Sequence, residues 1–150
     1  MKYDLLHPVA DDIDKLDPKD CYSLGDVGCT KTLVQMSWVG KTKDSICLAF
    51  VNQGKFYGVA GSYRNWAGVA QGWAIFDRAV DEHPIALTKT CVTLIKYAQK
   101  EQELRRLSLT VRSGYTKGDK FARALGFVLE GEMKKFLPDG SDAWMYARLF

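Results

Sequence analysis

Leu104–Phe127, LRRLSLTVRSGYTKGDKFARALGF, carries three structural signals in one run. Leu107, Leu109 and Val111 alternate with Ser108 and Thr110, the period of a half-buried strand. Arg112-Ser113-Gly114-Tyr115 is polar and turn-forming. Thr116–Leu125 then takes a helical spacing that stops at Gly126, the residue type suited to the left-handed position just past a helix. Upstream, Leu87, Cys91, Leu94, Ile95 and Ala98 fall on one face at the 3.6-residue spacing behind Pro84, which suits a first turn, so a helix is expected from Pro84 to about Glu103. A strand, Gly68–Phe76 (GVAQGWAIF), precedes that helix. Two strands of one sheet joined through a helix require a crossover, so the strands at 68–76 and 107–111 are expected to be parallel neighbours.

Outward from this β-α-β unit the chain reads as antiparallel additions. Ser45–Val51 (SICLAFV) is an apolar run of strand length. Asn52-Gln53-Gly54-Lys55 supplies turn chemistry, and Phe56–Gly61 returns as the second arm of a hairpin before a polar break at Ser62–Asn65. Gly68 and Gly72 mark a bulge or a close backbone approach in the strand that follows. After Gly126, Phe127–Phe136 reads as a long strand, Leu137-Pro138-Asp139-Gly140 as a turn and Ala143–Phe150 as the last strand. Toward the N-terminus, Tyr3–Leu6 is a short strand, Ala10–Leu16 and Lys31–Val39 are helices, and Gly25 and Gly28 mark a loop between them. The order β-α-α-β-β-β-α-β-α-β-β predicts an α/β (α+β) fold with a mixed central sheet of about six to seven strands and about four helices.

A chain of 150 residues with 47% hydrophobic residues suits one domain with a substantial core, so residues 1–150 are taken as a single domain. No apolar run approaches the roughly 20 residues needed to cross a bilayer, and the first residues show no signal-peptide pattern, which points to the cytoplasm and away from a membrane partner. Cys21, Cys29, Cys47 and Cys91 form no C-x-x-C pair, so no metal centre is expected, and Cys47 in an apolar strand pattern and Cys91 on an apolar helix stripe are expected to be buried thiols. Residues 1–30 hold seven acids and three lysines, leaving 18 bases against 11 acids in the remainder. A basic body suits a polyanionic ligand or ordinary solubility. Arg105, Arg106, Arg112, Lys117, Lys120 and Arg123 cluster in the opening stretch, as a phosphate or acidic-partner site or as a solvated helix face. Aromatic residues do not interleave with them as nucleic-acid binding requires, so a nucleic-acid partner is not expected. Serine-hydrolase, Walker-type and zinc signatures are missing.

The element order and the words Ala124-Leu125-Gly126-Phe127, Glu130-Gly131, Leu137-Pro138-Asp139-Gly140-Ser141-Asp142 and Met145-Tyr146 resemble the GNAT superfamily of acyl-CoA N-acyltransferases, ribosomal-protein acetyltransferases most of all. The resemblance implies a GNAT-like fold in which two central parallel strands splay apart and admit the pantetheine arm of acetyl-CoA. The pyrophosphate would then sit on the N-terminus of the helix that follows the first of these strands. Carried onto this chain, the arm lies along Ile75, Phe76 and Asp77. The phosphates meet His83, Ile85, Ala86, Leu87 and Thr88, with Tyr115 and Lys120 supplying the cofactor contacts of the next helix. The family's Gln/Arg-x-x-Gly-x-Gly/Ala loop falls on Glu82-His83-Pro84-Ile85-Ala86-Leu87, which has no glycine. Asp81 and Glu82 place negative charge there, each worth up to ~4 kcal/mol of repulsion toward an anion at about 4 Å before screening. The family's thiolate-protonating tyrosine corresponds to Ala122.

Transfer to an amine needs a route for its proton and a donor to the tetrahedral oxyanion, which points to Gln71, Tyr63 and Asp77 as catalytic candidates, with His83 near them. Asp77 and His83 also suit plain helix-capping roles. Two functions remain open at this stage. One is a GNAT-like N-acyltransferase moving an acyl group from acetyl-CoA to a protein or small-molecule amine. The other follows from a looser resemblance to the GNAT-like proteins of T7-like phages that lack the glycine loop. It is a cofactor-free protein of the host cytoplasm or virion, acting by contact with a host or virion protein.

Overall fold

The computed structural model describes residues 1–6, 16 and 44–150 of the chain. A seven-stranded mixed sheet runs through them in the order β1-β2-β3-β4-β5-β7-β6. Its strands are β1 (Asp4–Leu6), β2 (Ser45–Asn52), β3 (Lys55–Trp66), β4 (Val69–Phe76), β5 (Arg106–Arg112), β6 (Val128–Met133) and β7 (Ala143–Leu149). Two helices, α1 (Pro84–Glu101) and α2 (Thr116–Ala124), and a 3₁₀ turn over Arg78–Glu82 complete the described elements. The helices expected at Ala10–Leu16 and Lys31–Val39 lie outside the described residues, apart from Leu16, as do Cys21 and Cys29. None of the described helices is long and apolar enough to cross a membrane.

Local chemistry accounts for most boundaries. Gln53 and Gly54 both take positive φ (47° and 75°), the two-residue hairpin turn whose twist matches its flanking strands. β3 runs through the polar stretch at 62–65 and does not break there. Ser62 faces the core at 2% exposure, and the ladder to β4 continues through Ser62↔Gly72 and Tyr63↔Gln71. Strand pairing satisfies the backbone whatever the side chains, so polarity alone did not end the strand. β6 stops at Met133, short of Phe136, because its partner β7 begins at Ala143 opposite it.

Both helices end in the same motif. At Gly126 (φ 85°) the backbone N–H donates to Arg123 O at 2.9 Å, and Phe127 N–H donates to Ala122 O at 3.1 Å. These bonds satisfy carbonyls that a helix end otherwise leaves open, while Phe127 packs into the core. Glu103 (φ 50°) does the same for α1, with Glu103 N–H to Lys100 O and Leu104 N–H to Gln99 O.

The main core lies between the sheet and the helices. Phe50, Phe76, Leu94, Leu107 and Tyr146 belong to it, and edge-to-face contacts join Phe50 to Phe76 (centroids 5.1 Å) and Phe76 to Phe121 (6.4 Å). A smaller cluster of Cys47, Ala49, Val59 and Ile75 covers the opposite face, with Leu16 and Trp73 against it. Cys47 and Cys91 are buried free thiols; burial pushes Cys47 up to about 12 and Cys91 further still.

Candidate functional site

β4 and β5 pair in parallel over only three residue pairs, Val69↔Arg106, Ala70↔Leu107 and Gln71↔Ser108. The joint is anchored at its start by Gly68, whose carbonyl accepts from Arg105 N–H (2.9 Å) and Arg106 N–H (3.1 Å). Beyond Gln71 the strands part, although β4 continues to Phe76 and β5 to Arg112. A cavity of about 200 Å³ occupies the split, bounded by Ser62 and Gly72 at the joint, by α1 at Cys91 and Leu94, and by Arg112 and Tyr115 at the far end. A Cβ on Gly72 would stand at ordinary contact distance, 3.5 Å from Ser108 O.

The walls are largely apolar, and their few polar groups are unevenly satisfied. Ser62 Oγ donates to Gln102 Oε1 at 2.6 Å. Arg112 Nη1 donates to Asp139 Oδ2 at 2.7 Å and also to Ser141 Oγ. The Ser141 hydroxyl and backbone N–H, with Arg112, pull Asp139 down to about 2, so the pair is ionised and internally neutral. Arg112 Nη2 and Trp73 Nε1 are buried without a hydrogen-bond partner, as is Gln102 Nε2 behind Ser62. Trp73 and Arg112 both line the cavity.

The catalytic candidates are only partly brought together. Tyr63 and Gln71 are cross-strand partners at the closed end of the split, with Ser108 across the joint from Gln71. Asp77 lies six residues on from Gln71, just past the end of β4 and roughly 20 Å away, where its carboxylate accepts from Ala79 N–H at 2.9 Å and caps the 3₁₀ turn.

The residues expected along the arm diverge: Phe76 lines the cavity, whereas Ile75 belongs to the cluster on the other face. At the helix N-terminus, Leu87 is a core residue, Ile85 is exposed, and Thr88 Oγ1 bonds back to Pro84 O at 2.8 Å. His83 occupies the position before α1 without a side-chain capping bond. Leu87 N–H to His83 O is the first bond of that helix; Pro84 has no N–H, which leaves Ile85 and Ala86 as the early donors. Tyr115 borders the cavity, and its ring packs where a side chain on Gly118 would stand, 2.5 Å from that Cβ position. Lys120 is exposed on α2.

Most of the basic cluster is neutralised by carboxylates: Arg106 by Glu130, Arg112 by Asp139, Lys117 by Asp81 and Arg123 by Asp119. The Lys117–Asp81 pair, 3.3 Å apart, joins α2 to the turn before α1. No cluster of three or more metal-ligating side chains occurs among the described residues. The cavity roles of Ser62, Trp73 and Arg112 were missed by sequence reasoning. Ser62 reads in the sequence as part of a polar break, and nothing in Trp73 or Arg112 announces that the strands carrying them part there.

No family model matches the chain, and no curated protein sequence does. Its fold, in contrast, is matched over its full length by solved structures. The ribosomal alpha-N-protein acetyltransferase RimL in complex with coenzyme A superposes with a TM-score of 0.77 at 18% identity, covering 100% of this chain and 95% of that one. The microcin self-immunity acetyltransferase MccE in complex with acetyl-CoA and AMP gives 0.74 at 16% identity, over 99% and 93% of the two chains. A GNAT-family acetyltransferase from Streptococcus pneumoniae gives 0.74 at 17%, over 99% of each.

Proposed function

Starting from the GNAT fold of this chain, we propose that the protein is an N-acyltransferase. It moves an acyl group from acetyl-CoA or a related thioester directly to a protein or small-molecule amine at the β4/β5 split. The observation that carries this reading is the split itself: strands that part after three pairs, around a largely apolar cavity. A thioester in this cavity lies along backbone groups of β4 that have lost β5 as a partner. Such fixed N–H dipoles are suited to a developing oxyanion, because they need no reorganisation as charge appears. Gln71 and Tyr63, side by side at the closed end, order the water that accepts the amine's proton. Asp77 serves as the cap of the turn.

The implied cofactor fits this chain in one half only. The arm has a cavity. The diphosphate meets no glycine-lined cradle, an N-terminus missing one N–H at Pro84, and the carboxylates of Asp81 and Glu82. A second reading, contact with a host or virion protein without catalysis, is favoured by the Lys117–Asp81 bridge, which ties α2 to the turn before α1 where a diphosphate would sit.

Calorimetry with acetyl thioesters, acetyl-CoA first, together with thiol release in the presence of amines, separates the two. Micromolar binding and amine-dependent thiol release are expected. No heat from any acetyl thioester at millimolar concentration removes the enzyme reading.

A further inference from the structure

α1 turns one face inward, where Leu87, Cys91, Leu94, Ile95 and Ala98 belong to the main core. On the opposite side Lys89, Lys96 and Lys100 are exposed, and at 3.6 residues per turn they fall within a sector of about 40°. They form a straight ridge about 16 Å long, at the 1.5 Å rise of a helix. No acid interrupts it, since Pro84–Lys100 contains these three lysines and neither aspartate nor glutamate. Elsewhere Arg64, Arg106, Arg112, Lys117, Arg123 and Lys134 each hold a carboxylate. None of the three ridge lysines is paired with one among the described residues. Ile85, 70% exposed, stands on the same ridge one turn before Lys89, and Tyr97, 46% exposed, flanks it.

Unneutralised charge beside exposed apolar surface selects the kind of partner. A phosphate backbone would answer the lysines and leave Ile85 and Tyr97 in water. A bilayer surface is met by helices whose apolar face inserts, and the apolar face of α1 is already committed to the core. An acidic amphipathic helix offers carboxylates and apolar side chains on one stripe. We propose that the outer face of α1 docks an acidic helical segment of a partner protein, antiparallel to α1. Its carboxylates pair with Lys89, Lys96 and Lys100, and its apolar residues cover Ile85 and Tyr97. Ion pairs between helices fix orientation and register, and the antiparallel arrangement sets the positive end of each helix beside the negative end of the other. The site is separate from the β4/β5 split and independent of how the split is used.

The test is an NMR titration of the isotope-labelled whole chain with a synthetic helical peptide. The peptide carries Glu at the lysine spacing read in reverse, 4 and then 7 residues apart, with Leu beside each. A peptide of the same composition in scrambled order, a duplex RNA oligonucleotide and phosphatidylserine vesicles are titrated alongside. The ordered peptide is expected to shift the amides around Lys89, Lys96 and Lys100, to weaken with salt, and to bind about tenfold more tightly than the scrambled one. Lys89→Gln, Lys96→Gln and Lys100→Gln together should weaken it about tenfold, roughly twofold for each exposed pair. Lys2→Gln, Lys55→Gln and Lys135→Gln remove the same charge elsewhere and should leave it unchanged. All six side chains are exposed, so neither set disturbs the core. Ile85→Ser should weaken binding by the same factor at low and high salt, as loss of an apolar contact does. Equal binding of the two peptides, equal loss in the two lysine sets, tighter binding of the RNA or the vesicles, or no shift at millimolar peptide each overturns the proposal. None of these outcomes bears on acetyl-CoA binding at the split.

Discussion

Glu103 shows how much one residue can be asked to hold. It sits at φ 50°, a left-handed conformation that costs an L-residue roughly 1–2 kcal/mol and glycine almost nothing. Its position is fixed from both sides, by the bonds closing α1 and by Leu104 in the core immediately after. Glu103→Gly should therefore stabilise the protein by up to about 1 kcal/mol, since relief of strain outweighs the added freedom of the unfolded chain. Thermal denaturation checks it, and a lower melting temperature would show that the strain is absent. At Gly61 the sign is opposite, because a Cβ there would lie 2.0 Å from Ile46 O. Gly126 could be recognised as a helix terminator from its letter alone. Glu103 plays the same part with no such letter, because tertiary anchoring and not propensity put it there.

At the scale of elements, the hairpin at Asn52–Lys55 and the α2 terminus were legible because their signals are local: a turn that needs positive φ and a helix that needs a stop. The end of β3 was not, because its last residues are held by β4 pairing, information stored elsewhere in the chain. The start of α1 lies between these cases. The absent glycines and the acids were visible, whereas the 3₁₀ turn and the reach of Lys117 to Asp81 were not. Restoring glycine at Leu87 is a poor way to probe this element, since that side chain is in the core and its removal would cost about 2–5 kcal/mol. Asp81→Asn with Glu82→Gln changes charge alone. The double variant should raise affinity for acetyl-CoA, the more so at low salt, and leave S-acetylpantetheine unaffected. Calorimetry with both ligands reads this. Equal gains for the two would mean that the acids act on the cavity and not on a diphosphate.

Across the whole molecule, charge chemistry is unevenly placed. The carboxylates held below their ordinary range among the described residues are Asp119, by the Tyr146 hydroxyl and Arg123; Glu130, by Arg106; Glu132, by Lys134; Asp139; and Asp142, by the Lys135 backbone and Lys134. All lie on the α2–β6–β7 side. A carboxylate lowered by folding contributes stability that is complete above its unfolded value near about 4 and is lost as pH falls through its folded value. Asp139, at about 2, sets the bottom of that window. Acid unfolding should therefore begin on this side, between about pH 4 and 2, and Asp139→Asn should make that part of the profile shallower. Residue-resolved hydrogen exchange across the acid range would show it, and loss beginning at β1–β3 would contradict it. The mixed sheet and its parallel centre were readable from element order, since a crossover allows few alternatives. The length of the joint was not readable: nothing in Val69–Gln71 or Arg106–Ser108 announces that pairing stops after three rungs. That brevity has a mechanical consequence. Each half of the sheet is stiffened by long antiparallel ladders, so the molecule behaves as two plates sharing a short weld. The thickness of whatever lodges between them is registered as an angle and carried, with leverage, to the outer edges at β1 and β6.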